Sequence, residues 1–116
     1  MEFNIKSESF GSFAVVRSDG YINNLGGEKI AQECRSLMHS GVNDLILNLK
    51  DSKVVNSIGI SILIEIIEEI LNHDGKLAFS DLTPTVAKTF KIMGLLQFAD
   101  HFETEQNAVK AFNGNG

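Results

Sequence analysis

The 116-residue chain contains one cysteine, Cys34, so no intrachain disulfide can form. Cys34 shares a helical apolar pattern with Ile30, Leu37 and Met38, and it reads as a buried thiol rather than a nucleophile. Runs of Lys or Arg are missing as well. Acidic residues outnumber basic ones by 15 to 10, and the formal net charge is −5. Nucleic acid and anionic membranes attract clustered cations, so neither is expected as a direct partner. Nor is there an uncharged apolar run of spanning length. The isoleucine-rich stretch 58–71 is broken by Ser61, Glu65, Glu68 and Glu69. The opening segment MEFNIKSESF lacks the basic and apolar regions of a signal peptide. The expectation is a cytoplasmic protein.

Recognisable catalytic chemistry is equally sparse. His39, His73 and His101 each fall at the end of an expected element, without a partner at ligand spacing, so no metal is expected. No glycine-rich loop matches a phosphate-binding fingerprint, and Gly26-Gly27 reads as a pair of loop glycines before a helix. No serine lies in a G-x-S-x-G elbow. A nucleophile, a base and an orienting acid are nowhere assembled. No catalytic residue, no cofactor and no enzymatic activity are therefore expected.

What is present is a good core. Hydrophobic residues make up 43% and charged residues 22%, which suits one folded domain over 1–116. Phe3 and Ile5, then Phe13 and Val15, alternate with polar neighbours and predict two short strands joined near Gly11. From Leu25 the period becomes helical, and Gly41 closes that helix. DLILNL (44–49) predicts a strand buried on both sides. A second helix runs from Ile58 to Asn72, with Ile60, Leu63, Ile64, Ile67, Ile70 and Leu71 on its core face. LAFS (77–80) is the next strand, so 44–80 reads as a strand–helix–strand unit with a right-handed crossover. Thr83-Pro84 starts a third helix carrying Val86, Ala87, Phe90 and Met93. FADHFET (98–104) holds a last edge strand. Ala108, Val109 and Phe112 mark a final short helix, and the tail 113–116 is expected to fray. The fold class is α/β: a mixed, mostly parallel sheet of four or five strands, with three or four helices weighted to one face.

Ser57 stands at the loop-to-helix junction of VVNSIGISIL (54–63). There its hydroxyl can cap a free backbone N–H. A phosphate on it would also suit the positive end of the helix dipole. These local considerations leave cap and switch both open. Ile58 falls between Glu65 and Glu69 on the polar side of the helical wheel, with Ile62 at its border. Both are expected to be at least partly exposed, beside Gly59. Such a pair next to a serine looks like a small docking surface. A phosphate placed on it would block docking.

The chain resembles the STAS domain family, in particular its stand-alone bacterial anti-sigma factor antagonists. GYINNL (20–25) resembles the family's turn into its first helix. GVNDLILNLKDSKVVNSIGISIL (41–63) resembles its central strand, loop and phosphorylatable-serine motif. KLAFSDLTPTVAKTFKIMGL (76–95) resembles the strand, loop and helix that follow, and FETEQNAVKAF (102–112) the usual end. The resemblance implies a small α/β domain whose serine, here Ser57, is phosphorylated by an anti-sigma factor that is also a serine kinase of the histidine-kinase-like ATPase type. It implies a PP2C-type phosphatase that restores the serine, and binding of the kinase only by the unphosphorylated form. Asn23, Asn24, Asn56, Ile58, Gly59 and Ile62 are then the expected partner-binding residues. The family usually has acids where Asn56 and, often, Asn23 stand here, and often a second serine where Ile58 stands. Two other readings are a constitutive STAS subunit of a transport or stress-sensing complex, and a nucleotide-binding domain using the loops around Gly26 and Ser57.

Overall fold

Alternation builds the sheet. In the computed structural model, which describes residues 2–114, five strands lie in chain order β1-β2-β3-β4-β5. They are β1 (Asn4–Ser9), β2 (Ala14–Asp19), β3 (Asp44–Asp51), β4 (Lys76–Ser80) and β5 (Asp100–Phe102). The first pair is antiparallel and the other three pairings are parallel. In β3, Leu45, Leu47 and Leu49 enter one core while Ile46 enters the other. A strand covered on both faces needs such an unbroken apolar run.

Helices cover the two faces unequally. Helices α1 (Asn24–His39), α2 (Ser57–Asn72) and α3 (Pro84–Ile92) supply the larger core, around Ile30, Leu63, Ile66, Ile70 and Phe90. Helix α4 (Glu105–Phe112) closes the smaller one with Ala108 and Phe112 over Phe13, Val15 and Ala78. Its first turn is tied down by Glu105, which accepts two hydrogen bonds from Arg17 (2.8 and 2.7 Å) and one from Asn48 (2.9 Å). The Arg17 hydrogen bonds hold the Glu105 carboxyl below its ordinary pKa, against partial desolvation. Asn113 and Gly114 turn out of α4; the rest of the expected frayed tail lies outside the described residues.

Two expectations are corrected here. Gly26 and Gly27 are not loop glycines but buried residues of the first turn of α1. A Cβ on Gly27 would come within 2.9 Å of Ile62 Cδ1, so the absent side chain lets α1 close onto α2. The core arc of α2 is also rotated from the expected one, by about 60° at 3.6 residues per turn. Gly59, Ile60, Ile62, Leu63, Ile66, Ile67 and Ile70 are buried, while Ile64 is half-buried and Leu71 is 41% exposed. The cause is α1, which packs along the Ile62 side and binds it further through Arg35–Glu69. A single chain pattern does not tell which side a second helix will occupy.

Cys34 is fully buried, and burial pushes its thiol up to about 12. A thiol that stays protonated at neutral pH is a poor nucleophile.

Candidate functional site

Helices α1 and α2 begin side by side from one short bridge. Ile22 pairs in parallel with Val55. The Ile22 N–H donates to Val54 O (2.9 Å), and the Asn56 N–H donates to Ile22 O (3.1 Å). Each chain segment then ends in an asparagine cap. Asn23 Oδ1 accepts from the Gly26 N–H at 3.0 Å, and Asn56 Oδ1 accepts from the Gly59 N–H at 2.8 Å. Asparagine suits this position because its short side chain reaches the free N–H groups of the first turn. Gly59 is required for closeness: a Cβ there would collide with the Ile22 carbonyl oxygen.

Ser57 is therefore not the cap. Asn56 takes that role, and Ser57 is the first helical residue, solvent-exposed. Its carbonyl accepts a hydrogen bond from Ser61 Oγ (3.1 Å), and no hydrogen bond within the described residues engages its hydroxyl. Asn24 holds the equivalent first position of α1 and is also exposed. Neither helix has an acidic residue in its first turn. The two positive dipole ends thus meet with neutral caps. The other serines flanking this loop differ. Ser52 is buried, sharing a 2.8 Å hydrogen bond with buried Ser18, and Ser80 is buried too.

The expected docking pair splits. Ile58 is 54% exposed, whereas Ile62 is only 7% exposed. Ile62 faces Gly27 of α1, so its expected place at the edge of the polar side is corrected. Gly59 is buried, and Asn23 and Asn56 are half-buried at the rim. Three exposed apolar residues not singled out from sequence join Ile58: Tyr21, Leu25 and Val54. All three flank the paired segments that lead to the caps. Apolar residues immediately around both Asn caps were the signal that could have found them. Tyr21 and Leu25 also line a cavity of about 570 Å³ with Phe3 and Lys29.

Fold and site together define a class: a small mixed α/β domain that presents an exposed serine at two paired helix starts, which also carry exposed apolar side chains. The profile of the STAS domain matches residues 4–108, and the chain belongs to that family. The Bordetella bronchiseptica protein BtrV, named as a candidate anti-sigma factor antagonist, is 23% identical over 93 residues, which is 80% of each chain. Among solved structures, the anti-sigma factor antagonist SpoIIAA in its unphosphorylated form superposes with a TM-score of 0.77 at 19% identity, covering 96% of this chain and 99% of that one. The Bacillus cell fate determinant SpoIIAA in its phosphorylated form gives 0.74 at 21% identity, covering 94% and 99%. The α/β fold expected from the sequence is the one these structures share.

Proposed function

We propose that this protein is an anti-sigma factor antagonist of the partner-switching type, with Ser57 as its switch. In this reading the unphosphorylated form docks Ile58 and the capped loops around Asn23, Asn24 and Asn56 onto an anti-sigma factor that is also a serine kinase, with buried Gly59 holding the two helix starts together. Phosphorylation ends the interaction, and a PP2C-type phosphatase restores it. Catalysis belongs to the partners. The action takes place in the cytoplasm; among the described residues no helix is long and apolar enough to cross a membrane.

The observation that carries this reading is the free, exposed Ser57 hydroxyl at the head of α2, with its capping duty taken over by Asn56. A hydroxyl without a structural role can be modified without unfolding the helix. Phosphate there adds about two negative charges beside exposed Ile58, which disfavours apolar docking. The two uncompensated helix ends would hold the phosphate in place, an effect of about 0.3–1 kcal/mol per helix end. The likeness to anti-sigma factor antagonists supports the choice of partner.

The test is intact-mass analysis after incubation with a histidine-kinase-like ATPase encoded beside this chain, with ATP. A gain of one phosphate, absent in Ser57→Ala and mapped to Ser57, is expected. Modification mainly at Ser52 or Ser80, or equal partner binding by Ser57→Ala and Ser57→Asp, would sink the switch. A second reading is a constitutive subunit of a larger complex, with Ser57 unmodified. The observation favouring it is that neutral Asn56 and Asn23 stand at the two caps, where the family usually or often carries acids.

A further inference from the structure

Helix α2 is apolar over most of its circumference, yet the sheet and α1 together bury only part of it. The rotated core arc leaves Ile64 half-buried and Leu71 exposed. These residues form one wall of an open groove of about 620 Å³, whose other wall is Met93 and Phe98, on either side of the 3-10 turn after α3. Leu95 is buried and forms the floor, while Met93 is 50% and Phe98 64% exposed. An apolar arc is normally covered over its full width.

We propose that this groove receives an amphipathic helix of a partner protein, one that sets apolar residues into the groove and Lys or Arg along its rim. The proposal goes beyond the Ser57 switch and does not rest on it. Shape favours a helix: the groove runs along about two turns of α2 and is open to solvent, the arrangement used by helix-in-groove recognition with anchors at i, i+3/i+4 and i+7. Methionine in the wall adapts to varied side chains. Charge sets the sign of the partner. Glu68 is the one charged residue lining the groove. The ion pairs among the described residues are Arg17–Glu8, Arg17–Glu105 and Arg35–Glu69, so Glu68 is in none of them. Lys88 and Lys91 on α3 do not line the groove. A second copy of this chain would bring the same Glu68 rim and the same net charge of −5, so self-association is disfavoured.

Ser57 and Glu68, the charged residue of the groove, are separated by about 16 Å along α2 at 1.5 Å per residue, about two Debye lengths at physiological salt. Charge placed at Ser57 therefore has little effect on binding in the groove.

The experiment titrates the full ¹⁵N-labelled chain with a synthetic 18-residue helical peptide bearing Leu at i, i+3, i+4 and i+7 and Lys on its flanks. A matched peptide with Glu replacing Lys is the control. Expected are amide shifts concentrated at residues 64–72 and 93–98 and a Kd at least about tenfold tighter for the Lys peptide. The exposed-site double variant Leu71→Ser/Met93→Ser should lose binding, and Glu68→Lys should weaken it severalfold, both with near-native melting. Ser57→Asp should bind as the parent does. Equal binding of the two peptides, shifts centred elsewhere, or a sedimentation-detected dimer that these groove substitutions dissociate would overturn the proposal.

Discussion

Helices α1 and α2 have the same length, 16 residues, and the same start, an asparagine whose side chain accepts from a glycine N–H three residues on. Past the first turn they differ. α1 buries one stripe, Gly26, Gly27, Ile30, Ala31 and Cys34, and turns charged residues to water. α2 buries seven residues over a broad arc because it is wedged between α1 and the sheet. The comparison teaches that the site does not depend on which helix is more apolar. It depends on two capped starts held together by one bridge, and α2 alone places a hydroxyl at its first position.

The largest expected effect separates the core side of α2 from its open side. Leu63→Ala removes a fully buried side chain and should cost about 2–5 kcal/mol. Ile58→Ala should change stability by less than about 0.5 kcal/mol while weakening partner binding. Thermal melting and partner affinity of both variants check this, and equal early melting would place Ile58 in the core.

Next is Gly59→Ala. Alanine raises helix propensity by about 1 kcal/mol, but its Cβ meets the Ile22 carbonyl. The overpacking term, about 1–3 kcal/mol, should dominate, so urea unfolding should show a net loss. Gly26→Ala should behave alike, because its Cβ would meet the Tyr21 carbonyl. A stabilised Gly59→Ala would mean that the two helix starts are not tightly paired.

The caps come third. Asn56→Ala and Asn23→Ala should each cost about 1 kcal/mol, and Ser57→Ala less than about 0.5 kcal/mol. Denaturant midpoints that rank Ser57→Ala with Asn56→Ala would return the capping role to the serine.

The smallest effect concerns the tie between the helices. Arg35 donates to Glu69 through Nε (3.0 Å) and Nη2 (2.7 Å). That hydrogen bonding holds the Glu69 carboxyl below its ordinary pKa. A folded pKa lower than the unfolded value of about 4.3 means the stabilisation is complete above about pH 4.3. It is then lost as pH falls through the lower folded value. Both side chains are more than a third exposed, so the size is below about 1 kcal/mol. The melting difference between the parent and Glu69→Gln should be small at pH 7 and shrink on acidification to about pH 3. A difference that grows on acidification would show that the pair does not stabilise the fold.

Element order was legible because period and punctuation agreed along the chain. DLILNL is the near-continuous apolar run that a doubly covered strand needs, and Thr83-Pro84 starts α3 with Thr83 Oγ1 accepting from Val86 N–H. Ser57 was legible as a residue at a helix start. Its freedom was not, since Asn56 and Ser57 are both competent caps and one residue of register decides between them. Ile62 was misplaced at the border of the polar side, because a helical wheel shows one helix and not the neighbour that packs on it. Tyr21 and Val54 were passed over because exposed apolar residues in loops carry no period, and Leu25 because it falls on the outer side of the first turn of α1.

The amino-acid sequence by itself determined the alternation of strands and helices, the burial of β3 on both sides, and a serine at the start of the isoleucine-rich helix, because these follow from the spacing of apolar residues and from local backbone chemistry. Only the tertiary structure decided that the starts of α1 and α2 share one bridge, that Asn56 frees Ser57, and that Ile62 is covered while Leu71 is not. Those outcomes depend on how closely two helices approach, and that distance is set by Gly27 and Gly59 against residues more than thirty positions away in the chain.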